Sequence, residues 1–185
     1  MNAQAPLADT HCHLCLADFA EDMDPVLDRA RRAGVERILV PGIDLETSER
    51  AVTLAETYPD VYAAVGVHPH AASSYTPGTR ARLRQLAESS RVVAIGEIGL
   101  DYFRDLSPRD VQRSAFVDQL GLAAEVGPRM RAAVRARLRQ RGGGGIAAQW
   151  IDCARRLEPA ALGAQRVARR AAIDDDPLQI DVHRT

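Results

Sequence analysis

Lysine is absent from this 185-residue chain, so all 24 of its basic residues are arginine. Cysteine is scarce. Cys12, Cys15 and Cys153 are an odd number, and the N-terminus lacks the basic-then-apolar layout of a secretion signal, which speaks against a disulfide framework. No stretch approaches the run of about 18 apolar residues that a membrane span needs. A cytoplasmic chain with no membrane partner is the expectation. The formal net charge is −1, so the overall balance demands no nucleic-acid partner. Histidine is thinly spread as well: no imidazole occurs between His70 and His183.

What is present suits a soluble globular protein. Hydrophobic residues make up 46% and charged residues 26%, and the length allows one domain with a sizeable core. The charge is uneven. Residues 1–127 hold 12 arginines against 19 acids, whereas residues 128–185 hold 12 against 6. The chain therefore divides into 1–127 and a divergent, arginine-rich tail, 128–185.

Residues 1–127 alternate between strand and helix patterns. Leu7-Ala8-Asp9 begins a strand, Asp24-Pro25 reads as an N-cap followed by proline at the first helical position, and Gly34 reads as the stop. Residues 37–41 form the second strand, and a helix is expected from Leu45 to Tyr58 with an apolar stripe through Ala51, Val52 and Ala55. Residues 61–67 are apolar enough for a strand covered on both faces. Thr76-Pro77 opens a third helix, residues 92–96 form the fourth strand, and Ser107-Pro108-Arg109-Asp110 resembles a capping box. Such an order predicts a parallel sheet with right-handed crossovers.

Two motifs carry chemistry. Asp9-Thr10-His11-Cys12-His13-Leu14 places two imidazoles at i and i+2, which on a strand point the same way. Gly96-Glu97-Ile98-Gly99-Leu100-Asp101 ends an apolar run 84 residues after His13 and offers a carboxylate that can complete a metal cluster. Carboxylate and imidazole suit Zn, Mn or Mg, and water on such an ion loses a proton near neutral pH. Cys12-His13-Leu14-Cys15 also fits Cys-x-x-Cys, for a zinc knuckle or redox pair, but the simpler reading is a pair of small packing residues.

These motifs, with Val40-Pro41-Gly42 and Gly66-Val67-His68-Pro69-His70, resemble the TatD-type metal-dependent DNases of the amidohydrolase-like barrels over residues 7–127. The resemblance implies an α/β fold, an incomplete TIM-type (β/α) barrel of about four βα units, since a full barrel takes about 250 residues. It implies a metal-dependent hydrolase, a deoxyribonuclease cleaving DNA or another phosphodiester. It assigns His11 and His13 to a metal ion and Glu97 to a bridge between up to two ions, with one ion the alternative here. His68, His70 and Asp101 fall on the substrate side, and Tyr102 and Arg104 stand next to them.

The departure from the family is equally specific. Family members continue with strands that deliver two more histidines and a final aspartate, ligand and base; here residues 127–134 occupy the fifth strand's place without a histidine. The catalytic residue is therefore unassigned. Asp152, residues 174–176, Asp181 and His183 are the visible substitutes. Six arginines among residues 129–141, followed by Gly142–Gly145, read as a partly helical or disordered tail, able to touch nucleic-acid backbone. Its composition is also what a frameshift in GC-rich coding sequence gives, or a replacement beginning near Val126. Trp150, Ile151, Leu157, Leu162 and Val167 are expected to form a short helix against an open sheet edge, and a homodimer through that edge is the alternative cover. The competing functional reading is an inactive half-barrel that binds metal or a partner without turnover.

Overall fold

Four strand and helix pairs follow one another in the order that the apolar runs dictate. The computed structural model describes residues 7–127, 131–138 and 147–152. In chain order these give β1 (Leu7–Asp9), α1 (Met23–Arg32), β2 (Val35–Pro41), α2 (Leu45–Thr57), β3 (Val61–Val65), α3 (Pro77–Leu86), β4 (Val92–Asp101), α4 (Arg109–Glu125), β5 (Arg131–Leu138) and β6 (Ala147–Asp152). One sheet runs β1-β2-β3-β4-β5-β6. The first five strands are parallel neighbours and β6 returns antiparallel on β5. The first four units form the half-barrel expected of the sequence. Among the described residues no helix is long and apolar enough to cross a membrane.

Burial explains the arrangement. Leu27 of α1, Ala51 of α2, Leu83 of α3 and Leu122 of α4 share one core with Val40, Val61, Val65 and Ile95 of the strands. Asp44 caps α2 through the Thr47 amide at 2.8 Å, and Thr76 caps α3 through the Thr79 amide at 3.1 Å. Gly34, at φ +89°, ends α1 in the left-handed region that glycine enters without a Cβ clash.

Several expected boundaries move. The N-cap of α1 is Asp22, so Asp24 and Pro25 sit inside its first turn, where proline's missing N–H is no loss. The N-cap of α4 is Pro108, and the Ser107 hydroxyl donates to the His70 carbonyl at 2.9 Å instead of capping. β4 does not stop at Gly96 but runs to Asp101.

The described part of the tail is strand, not helix. β5 pairs with β4 from Ala94↔Arg131 to Asp101↔Arg137, so it fills the fifth strand's place and occupies the edge for which a tail helix or a second copy was the alternative cover. An unpaired strand edge is a strong template, and here it prevails over an unpromising composition. Trp150 and Ile151 lie in β6. The other members of the expected helix, Leu157, Leu162 and Val167, lie outside the described residues, as do Asp174–Asp176, Asp181 and His183.

Arg31, in the last turn of α1, holds Asp60 at the entry of β3 with two parallel hydrogen bonds of 2.8 Å. That pairing holds the Asp60 carboxyl below its ordinary value of 3.8. A lowered carboxylate stabilises the fold above the unfolded value and loses that contribution as pH falls through the folded one. Arg31→Ala is therefore expected to be less stable than wild type at pH 7, with the gap closing below about pH 4. Urea melts at both pH values check this; an equal gap at both would assign the loss to packing.

Candidate metal centre

Asp9 closes β1, and its carboxylate accepts the His11 amide at 3.0 Å, while the Cys12 amide continues the pairing to Leu39 of β2 at 3.1 Å. Thr10 bends the chain between them, and the Cys12 bond fixes the segment beyond it. His11 and His13 consequently project to one side, rings edge to face with centroids 4.7 Å apart and their Nε2 atoms 3.0 Å apart.

Glu97 meets them from β4. Its Oε2 stands 3.3 Å from His11 Nε2 and 3.7 Å from His13 Nε2, and the residue is only 2% exposed. The backbone explains the reach. The register of β4 against β5 breaks between Ile95 and Ile98, and the Glu97 amide turns to donate to the Gly42 carbonyl at 2.9 Å. Gly66 and Gly96 let β3 and β4 approach there: a Cβ on Gly66 would lie 2.9 Å from the Gly96 carbonyl carbon.

Proton positions follow from the outer bonds. His13 Nδ1 lies 3.1 Å from the Pro41 carbonyl, which can only accept, so Nδ1 carries the proton and Nε2 presents its lone pair to the cluster. His68 is the reverse case. Its Nδ1 accepts the His70 amide at 3.1 Å, so the proton sits on Nε2 and points at Glu97 Oε1, 3.5 Å away. His68 thereby turns Glu97 so that Oε2 faces the two imidazoles.

The ligand atoms of His11, His13 and Glu97 all lie within 4.8 Å of one another. Around a tetrahedral ion with bonds of about 2.1 Å, donor atoms stand about 3.4 Å apart. The observed separations bracket that spacing, and two neutral nitrogens with one carboxylate oxygen are a donor set that Zn or Mn accepts. The residues present fit a divalent ion held from one side.

His70 belongs to a neighbouring cluster. Its Nε2 lies 2.7 Å from Asp101 Oδ2, and its ring meets His68 edge to face at 4.2 Å. Burial would raise the Asp101 carboxyl, but hydrogen bonds from the Arg104 amide, the His70 ring and the Phe103 amide outweigh it and hold the group below the ordinary carboxylate range. The thiols stand apart from this chemistry. Cys15 is buried in the core and pushed up to about 11, chiefly by burial, and burial also raises Cys12, so neither offers a thiolate.

Two residues that the sequence analysis overlooked hold both clusters in place. The Gln119 amide receives the Val67 N–H at 2.7 Å and donates to the Val67 carbonyl at 3.1 Å, just before His68. Gln112, two turns earlier on α4, receives the Asp101 N–H at 2.9 Å and donates to the Ser107 carbonyl at 2.7 Å. Both are 1% exposed.

Among the described residues the imidazoles are His11, His13, His68 and His70, and β5 brings none. Asp152 ends β6.

A family model described as "TatD related DNase" matches residues 8–129. The chain is 44% identical over 120 residues to the metal-dependent hydrolase YabD of Bacillus subtilis, covering 65% of this chain and 47% of that one. It is 46% identical over 119 residues to the 3'-5' ssDNA/RNA exonuclease TatD of Erwinia tasmaniensis, covering 64% and 46%. The crystal structure of YjjV, a TatD homologue from Escherichia coli K12, superposes with a TM-score of 0.64 at 36% identity over 69% of this chain and 49% of that one. The chain thus spans about half the length of the relatives it matches.

Proposed function

Because this chain belongs to the TatD related DNase family, we propose that it is the metal-binding half of a metal-dependent phosphodiesterase acting on nucleic acid. The observation that carries the reading is the convergence of His11 Nε2, His13 Nε2 and Glu97 Oε2, all within 4.8 Å of one another. Its relatives, a metal-dependent hydrolase and an exonuclease on ssDNA and RNA, support the reaction class.

A divalent ion at this corner supplies Lewis acidity and lowers the pKa of water, which phosphodiester hydrolysis requires. The chain's own residues supply the rest. His11 and His13 bind through Nε2, with His13 oriented by the Pro41 carbonyl. Glu97 contributes the negative charge, turned by His68. His70 and Asp101 form the substrate side, where an imidazole backed by a carboxylate is suited to bind a phosphate oxygen or to hold a proton at Nδ1.

A second reading has its own observation. β5 occupies the fifth strand's place and carries no histidine, where the family resemblance implies one. On that reading the half-barrel binds one ion without turnover, and residues 128–185 are a frameshift product or a replacement.

Metal content and turnover of single-stranded DNA by the purified chain decide between them. The hydrolase reading expects bound Mn or Zn and cleavage that stops with chelator and returns with the ion. One ion without cleavage would select the silent half-barrel, and no ion would remove both.

A further inference from the structure

Between the buried residues Asp101 and Ser107, four successive residues, Phe103 to Leu106, are exposed. Phe103 is 42% and Leu106 63% exposed. Single exposed apolar side chains need no explanation. A loop that is fixed at many points while holding an aromatic ring in water does.

The fixing is extensive. Asp101 Oδ1 accepts the amides of Phe103 at 3.1 Å and Arg104 at 2.9 Å, while its other oxygen takes His70. Gln112 bonds to both ends of the loop, at Asp101 N–H and Ser107 C=O. Asp105 turns the chain at φ +53°, a conformation that aspartate tolerates. The ring of Tyr102 lies beneath the Arg109 guanidinium at 4.7 Å.

Charge complements the shape. Residues 1–127 are acidic overall, but from Tyr102 to Arg113 three arginines stand against two aspartates, and the Arg109–Asp105 pair at 2.9 Å cancels one of each. An exposed aromatic ring next in sequence to an exposed arginine is the composition of a surface that binds single-stranded nucleic acid, where bases stack on aromatics and arginines meet phosphates. Contacts run without a gap from this loop to the candidate metal corner, from Asp101 to His70, His68 and Glu97.

We propose that the loop from Tyr102 to Leu106 is a stacking platform for single-stranded nucleic acid, with Phe103 under a base and Arg104 on the adjoining phosphate. The choice of nucleic acid rests on the phosphodiesterase reading, whereas the test below reads binding alone.

Fluorescence anisotropy with labelled ten-nucleotide oligo(dT), and with an abasic strand of the same length, is measured in chelator. Phe103→Ala is expected to weaken oligo(dT) binding between about fivefold and a hundredfold and to leave the abasic strand unchanged, while Phe103→Trp restores it. Arg104→Ala is expected to weaken both strands alike and to flatten the salt dependence by about one unit. Oligo(dT) binding that survives Phe103→Ala, binding driven by the arginine-rich tail included, would overturn the proposal. So would the absence of binding by wild type. Phe103-dependent binding without metal-dependent turnover would uphold the platform and sink the hydrolase; turnover with Phe103-independent binding would do the converse.

Discussion

Glu97→Gln is expected to lower the affinity for Mn or Zn by more than about a hundredfold, because loss of a supporting hydrogen bond around a metal costs about ten- to a hundredfold and a direct ligand exceeds that. Glu97 is the anionic member of the three-donor set, since His11 and His13 offer neutral nitrogens. Glutamine keeps the shape and removes the charge. A neutral oxygen cannot offset the ion's double charge in a corner where the residue is 2% exposed. His70→Ala supplies the contrast. His70 is engaged with Asp101 rather than with the three donors, so its loss is expected to change metal affinity less than about threefold, the level of scatter in such measurements. Isothermal titration of the metal-free chain with each ion, with circular dichroism as the control on folding, checks both. Retained affinity in Glu97→Gln would remove that residue from the ligand set, and equal losses in the two variants would mean one merged site.

The second large effect concerns stability. Gln119→Ala is expected to destabilise the fold by about 3 kcal/mol, since it strips partners from a buried N–H and a buried C=O at Val67, each costing about 1–3 kcal/mol. For a chain of this size that corresponds to a fall in Tm of roughly 10 °C. Gln119→Leu separates hydrogen bonding from volume. Leucine nearly refills the space but still orphans Val67, and it excludes the water that the alanine cavity admits, so leucine should be no better than alanine. Urea melts of both variants report this. Recovery in the leucine variant would show that the site needs volume and not the amide.

These two predictions fall on opposite sides of what the sequence discloses. The strand and helix order was legible because each apolar run is bounded by a breaker or a cap, as at Gly34, Pro59 and Thr76-Pro77. The pairing of His11 with His13 was legible from a period of two. Glu97 was expected at a strand's end, and it lies within β4 because the strand continues through Gly96, where Gly66 approaches closely, to Asp101. Gln112 and Gln119 were invisible because a polar residue on an amphipathic helix is assigned to water. Their signal was positional: they share a stripe with Ala115 and Leu122, at helical spacings of three and four, where a solvent-facing side chain has no place. β5 had a weak signal too. Val134-Arg135-Ala136-Arg137-Leu138 alternates, but its arginine content masked the period.

The two glutamines, seven residues apart on α4, also have a kinetic meaning. The amide protons of Val67 and Asp101 are held by side chains of a helix and not by a neighbouring strand. Lifting of α4 from the sheet releases both. The ends of β3 and β4 are thereby joined to α4, and the segments leading into His68 and out of Glu97 are expected to share one level of hydrogen-exchange protection.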